Sequence, residues 1–410
     1  MTACLEAAPI DSLRPLVLTV YVPTLARGIG MGAAAPVMTL TAVDLGASVA
    51  VAGLAVALVG LGQVLGGIPS GQLVAWMGER ASTIWGTAVG LVGVLLCVFA
   101  PNVPVLCVGL LIVGLSNAVW GLARMTFMAE AIALPLRARA MSLFGGAMRL
   151  GFFVGPLLGA AAILGVGIRG GFAVQFLAFL VAGWMMVRLP LPGGSYTEPA
   201  VAPPISLLGV ARQHRSVLCT LGAGSMLMGA ARASREVILP LWAHHIGIDA
   251  ATASLLFGIA AALELVFAYP AGHLMDRYGR APIAVPSLGI LSASYLAVPL
   301  THSTITLGAV AVALGVGNGI GNGLIMVLGA DVAPPGMRAE FLAAWRLTHD
   351  CGAFGGPLLL GILAGAAPLA AAALTIGGVA ALGAVVMGRF IPRHIPWPPV
   401  ALSLPQKVIS

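Results

Sequence analysis

Charged residues are scarce in this chain: Asp, Glu, Lys and Arg make up 8 % of its 410 residues, against 60 % apolar residues. The mean hydropathy is +1.05, which excludes an ordinary soluble domain. No GxxxxGKS stretch occurs, so a phosphate-cradling loop, and ATP as energy source, are excluded. No Ser-His-Asp set and no pair of carboxylates sits in an aqueous segment, so the chain is not read as an enzyme. The five cysteines (Cys4, Cys97, Cys107, Cys219, Cys351) lie in or beside apolar segments without CxxC spacing. They read as small buried hydrophobes, not disulfides or metal ligands. His244, His245 and Asp249 form a weak outer-face metal pattern, for which a solvated loop is the simpler reading. No cofactor or metal is expected. The first fifteen residues carry Glu6 and Asp11 and no lysine, unlike a cleaved signal peptide. The net charge of +7 is scattered at the ends of apolar runs, so a nucleic-acid partner is not expected.

What the chain has instead is apolar runs of about 20 residues, each long enough to cross a bilayer's hydrocarbon of about 30 Å. Hydropathy gives six in each half, at 16–42, 49–70, 82–100, 104–127, 140–164 and 171–188, then 216–243, 250–270, 283–300, 304–327, 340–364 and 369–390. We number them spans 1 to 12. Residues 1–188 read as one six-helix bundle and 216–390 as a second. The Pro- and Gly-rich stretch 189–215 reads as a flexible cytoplasmic linker, and 391–410 as a proline-broken surface tail.

The halves repeat at an offset of 201 residues, with no gap from Arg14/Arg215 onward. Gly71/Gly272, Leu73/Leu274, Gly78/Gly279, Pro69/Pro270, Asn117/Asn318, Arg137/Arg338, Gly155/Gly356 and Pro156/Pro357 coincide, and Glu130 falls on Asp331. One six-span unit folded twice, in parallel, organises the chain. With both termini cytoplasmic, thirteen Lys and Arg residues lie on that side and Arg169 alone on the other. The positive-inside rule favours this orientation.

The turn GHLMDRYGR, Gly272 to Arg280, follows the second span of the second half. Twelve spans in two parallel repeats with this G-x-L-x-D-R-x-G-R turn resemble the major facilitator superfamily. The copy at 272–280 carries Asp276, Arg277, Gly279 and Arg280, whereas the copy at 71–79 has Ala75, Trp76 and Glu79 at the charged positions. Span 5 reads GFFVGPLLGA (151–160), similar to that family's antiporter motif, and span 11 carries its twin GAFGGPLLLG (352–361). The resemblance implies an all-α membrane fold of twelve helices in two pseudo-symmetric bundles that rock about a central site. It implies that Asp276 latches onto the start of span 5 near Arg139, with no matching latch at Ala75, so that Asp276→Asn weakens transport. It also implies that spans 1, 4, 7 and 10 line the cavity, while spans 5 and 8, and 2 and 11, meet between the halves. The motif residues Gly151, Gly155, Pro156, Gly352, Gly356 and Pro357 supply close contact and a bend, serving either transport or plain helix packing.

Ionisable residues at membrane depth usually line a cavity or pair. Arg149 lies about 15 Å along its helix from Arg139, and Glu264 about 12 Å before Gly272. These depths suggest an Arg149–Glu264 pair, with Asp350 and Gln63 as its twin. Glu264 is the first choice for a proton-coupling site, since burial favours its neutral form and Arg149 its charged form; a purely structural ion pair is the alternative. Arg27 is open to three roles: a substrate contact, a pair with Asp350, or carbonyl contacts. Arg232 and Glu236, four apart, can pair on one helix face; Arg232 and Arg235 serve structure, an outer gate or binding. Asn117, Asn318 and Asn322 bind substrate or join helices, and Arg124 tethers Glu130. The whole reads as a monomeric plasma-membrane (inner-membrane) carrier exporting a small amphiphilic compound against protons. Import or exchange of an organic anion is the alternative.

Overall fold

In hydrocarbon every backbone N–H and C=O must be satisfied within the protein, and an apolar run of about 20 residues does so by folding as a helix. The structure, a computed structural model, describes residues 12–189, 207–334 and 337–395. All twelve spans are helical, in two bundles. In the first, span 1 is Val22–Asp44, spans 2 and 3 form one helix Val49–Val98, span 4 is Val103–Ala131, span 5 Leu134–Val166 and span 6 Gly170–Arg188. In the second, span 7 is Ala223–His245, span 8 Ala250–Tyr278, span 9 Ala281–Ala297, span 11 Arg338–Ala366 and span 12 Leu369–His394; span 10 comes in two pieces, Thr304–Ile320 and Leu324–Val332. Among the described residues eleven helical stretches are long and apolar enough to cross a membrane. Span 7 is the exception, because Arg232, Arg235 and Glu236 lie in its middle.

The repeat reaches into local geometry. A π-helical turn opens span 1 at Val17–Tyr21 and span 7 at Leu218–Gly222, 201 residues apart. Ser48 caps span 2 by accepting from the N–H of Val51, and its twin Asp249 caps span 8 by accepting from Thr252. Gly78 (φ 76°, ψ 166°) breaks the long helix between spans 2 and 3, and Gly279 (φ 89°, ψ 178°) ends span 8. That backbone region is open essentially to glycine alone, which explains the coincidence of these two residues. Ser116 Oγ of span 4 donates to the carbonyl of Gly86 in span 3 at 2.6 Å. In the second half Ser287 of span 9 donates to Gly317 of span 10 at 2.7 Å. The twin sites make the same contact with donor and acceptor exchanged.

The glycines of the Gly-Pro motif set how closely helices cross. A Cβ on Gly155 would strike the Ile29 carbonyl of span 1, and one on Gly356 would strike the twin carbonyl of Ala230 in span 7. Gly151 and Gly352 meet Leu25 and Met226 in the same way. The prolines face the other bundle: a Cβ on Gly258 of span 8 would lie 3.5 Å from Pro156, and one on Gly53 of span 2 would lie 3.3 Å from the Pro357 carbonyl. Spans 5 and 8, and 2 and 11, therefore form the seam between halves.

Several expectations need revision. The stretch read as linker holds a helix at Leu207–Gln213, while 190–206 lie outside the described residues. Span 12 runs on to His394 through Pro392, so the helix enters the tail; the tail beyond 395 is outside the described residues. Cys97 is buried, but Cys219 and Cys351 are exposed, and Cys4 is not described.

Candidate functional site

A cavity of about 330 Å³ lies on the seam. Gln63, Arg149 and Phe152 face it from the first half; Arg232, Arg235, Glu236, Glu264, Asn318 and His349 face it from the second. Val56, Val59, Met148, Ala233, Ala261 and Ala353 supply apolar wall. Charges at this depth persist only when paired or wetted by a cavity, and most of these are paired. Glu264 Oε1 lies 3.2 Å from Arg232 Nη2, and Oε2 lies 3.0 Å from Arg235 Nη1. Arg235 also stacks over Phe257, 4.9 Å from the ring centre.

The direct Arg149–Glu264 pair does not form. Depth along two helices places both residues in one cavity, but it leaves undetermined which partner each side chain reaches. Arg149 Nη2 instead donates to Asn322 Oδ1 at 2.8 Å, joining span 5 of one half to span 10 of the other. The Arg232–Glu236 pair is also absent, because Arg232 turns to Glu264 and donates from Nη1 to the Gly321 carbonyl at 3.2 Å. Span 10 is broken at Gly321–Gly323, and Gly323 has φ +78°. A broken helix at membrane depth is tolerated where side chains take up its freed backbone groups. Here Arg232 caps one carbonyl of the break, and Arg149 holds the side chain of Asn322 within it. Sequence reading missed the break, although the run GNGIGNG (317–323) is rich in the residues that interrupt helices. It also missed His349 on the cavity wall.

Spans 2, 5, 7, 8, 10 and 11 line the cavity, whereas spans 1 and 4, expected there, do not. Span 1 packs against spans 5 and 6 inside its own bundle. Arg27 is consequently buried in that bundle, 1 % exposed. Its Nη2 donates to Ser116 Oγ at 2.9 Å and Asn117 Oδ1 at 2.8 Å, and its guanidinium lies 4.2 Å from the Phe179 ring centre and 5.0 Å from that of Trp120. The proposed Arg27–Asp350 pair is not made, and Asn117 joins helices. Its twin Asn318 lines the cavity, and among the described residues its buried Oδ1 and the buried Nδ2 of Asn322 have no hydrogen-bond partner. Asp350 does not line the cavity and meets Arg346 at 3.6 Å and His349 at 3.5 Å.

The expected latch between Asp276 and Arg139 is also not made. Asp276 is 78 % exposed and 3.9 Å from Arg280. Arg280 is held inside its own half by Asp331 at 2.8 Å and by the Met275 carbonyl at 3.0 Å. Arg277 lies over the ring of Tyr278. Gly78 and Gly279 are needed by the backbone. A Cβ on Gly272, by contrast, would have no atom within 4 Å, and one on Gly71 would meet only Leu122 at 3.9 Å. Arg124 is buried near Trp120, while the side chain of Glu130 is outside the described residues. His245 packs on Trp242, and Asp249 serves as the cap of span 8. Among the described residues no three His, Cys, Asp or Glu side chains are grouped to hold a metal.

Comparison with known proteins gives a consistent picture. The family model described as Major Facilitator Superfamily matches residues 21–233 and 221–409. The chain is 26 % identical over 357 residues to YddS of Bacillus subtilis (strain 168), described as an uncharacterized MFS-type transporter, covering 81 % of this chain and 80 % of that one. Its structure is similar to that of a D-xylose-proton symporter (TM-score 0.71, 15 % identity, 93 % of this chain and 99 % of that one). It is also similar to the nucleoside transporter NupG (TM-score 0.69, 15 % identity, 91 % and 98 %).

Proposed function

This chain belongs to the major facilitator superfamily, and we propose that it is a proton-coupled carrier whose substrate sits in the cavity on the seam. It is a multi-pass membrane transporter and not an enzyme. The observation that carries the proposal is the wall of the cavity, where both halves contribute and charged groups of both signs converge within an apolar shell. Rocking of the two bundles about the seam opens such a site to each side in turn. The guanidiniums of Arg149, Arg232 and Arg235 orient a charged or polar group of the substrate, and Phe152 and the aliphatic wall take its apolar body. The Gly-Pro motif supports export of a small amphiphile from a plasma-membrane protein with cytoplasmic termini. The excess of arginines over glutamates on the wall, three to two, favours a second reading, import or exchange of an organic anion.

Purified protein in proteoliposomes, with an internal pH dye and a panel of cationic, neutral and anionic amphiphiles, tests the proposal. Compound-evoked proton movement in the antiport sense supports export, and movement in the symport sense with anions alone supports the second reading. Compound flux that ignores a proton gradient overturns the coupling.

A further inference from the structure

The pairings in the cavity leave one carboxyl over. Arg232 and Arg235 both donate to Glu264. Glu236 follows Arg235 in span 7, lines the same cavity and is half-buried, yet among the described residues it makes no ion pair and no hydrogen bond. Placing a proton on Glu264 would forfeit two ion pairs. Placing one on Glu236 forfeits none, and relieves the cost of an uncompensated charge at membrane depth.

The groups facing Glu236 sharpen the contrast. From its own helix come Arg235 and Arg232, from span 8 Glu264, from span 5 Arg149 and from span 11 His349. Arg149 is held by Asn322, His349 lies beside Asp350, and Arg235 is held by Glu264. The hydroxyl of Tyr295 in span 9 donates to the Ala231 carbonyl. Only Arg232 stands one helical turn from Glu236 on the same face, the spacing at which Arg and Glu pair along a helix.

We propose that Glu236 takes up and releases the coupling proton, and that Arg232 conveys its state to the broken span 10. The proposal rests on the cavity being the transport site. With its proton on, Glu236 is neutral, and Arg232 remains on Glu264 and on the Gly321 carbonyl. When the proton leaves, the Glu236 carboxylate draws Arg232 one turn along span 7. Glu264 is then held by Arg235 alone, and the Gly321 carbonyl loses its cap. The break carrying Asn322 is thereby loosened, and with it the Arg149–Asn322 contact between the halves. Proton release is thus tied to the seam that must part when the bundles rock.

Infrared difference spectra between high and low pH, taken on the full chain in lipid vesicles, read the proton directly and need no ligand. Wild type is expected to show a titrating carboxylic-acid carbonyl band that is lost in Glu236→Gln and retained, shifted, in Glu236→Asp. A wild type without such a band, or a band unchanged in Glu236→Gln, overturns the assignment. The Glu236→Asp protein keeps the test valid if Glu236→Gln fails to fold. In proteoliposomes, an amphiphile that moves protons with wild type is expected to move none with Glu236→Gln. Proton movement that persists in Glu236→Gln overturns the proposal. A wild type that moves compounds without protons overturns the coupled reading instead, and the infrared band separates the two failures.

Discussion

Replacing Gly279 with alanine, beside the same change at Gly272, separates two glycines that stand seven residues apart in one loop motif. Gly279 holds φ 89° and ψ 178°, with its N–H on the Met275 carbonyl at 3.1 Å. A residue with a Cβ in that region is strained by about 1–3 kcal/mol. Gly272 lies inside the helix Ala250–Tyr278, with no atom within 4 Å of where a Cβ would stand. Alanine there removes the entropic penalty of a helical glycine and stabilises by about 0.5–1 kcal/mol. The two variants should therefore differ by about 1.5–4 kcal/mol, with opposite signs relative to wild type. Gly78→Ala should reproduce the loss at the twin position, and Gly78→Ala with Gly279→Ala should be additive because the sites are separate. Denaturant unfolding of the purified protein in mixed micelles, followed by tryptophan fluorescence, provides the assay. Equal stability of Gly279→Ala and wild type would refute the reasoning, as would a Gly272→Ala variant as unstable as Gly279→Ala.

Three further outcomes are expected. A double-mutant cycle on Arg149→Ala and Asn322→Ala should give a coupling of about 1.5–3 kcal/mol, the range for a hydrogen bond from a charged donor; additivity would mean that the contact between halves is not formed. Arg27→Met should lower stability by about 1–3 kcal/mol in the same unfolding assay, because Asn117 loses its buried donor; an unchanged midpoint would contradict the buried role. Asp249→Ala should cost about 0.5–2 kcal/mol through loss of the cap. The Thr252 hydroxyl and backbone N–H hold the Asp249 carboxyl below its ordinary range. Its contribution is therefore present above a pH of about 4, the unfolded carboxylate range, and fades as pH falls further through the lower folded value. A wild type and an Asp249→Asn variant with the same acid limb would contradict this.

The repeat is legible in the sequence because it is enforced by backbone needs that only certain residues meet. Gly78 and Gly279 occupy a glycine-only conformation, and Gly155 and Gly356 stand where a Cβ would strike a neighbouring helix. Fold class follows from the length and apolarity of the runs. The site is legible only as a set of charges at similar depth. Sequence distance gives a residue's height along its helix, but partner choice depends on rotation about the helix and on competition. Depth alone thus puts Glu264 and Arg149 on one cavity but pairs them wrongly, and it pairs Asp350 with Gln63 where Asp350 meets Arg346 and His349. Arg27 is misjudged for a different reason. A lone arginine in an apolar span can be held by two polar side chains and two aromatic rings within its own bundle, and none of those partners is close in sequence. The break in span 10 is written in its glycines, but its meaning depends on the two arginines that reach it from spans 5 and 7.

The central claim is that the cavity on the seam is where substrate and proton meet. Its most direct test is compound-evoked proton flux in proteoliposomes for wild type, Arg149→Ala and Glu264→Gln, each first shown by its melting curve to be folded. The account predicts that a compound moving protons with wild type moves few or none with either variant, since one removes the arginine that the first half brings to the wall and the other releases the two arginines of the second. Flux at the wild-type rate in both variants would contradict it and place the transport site elsewhere.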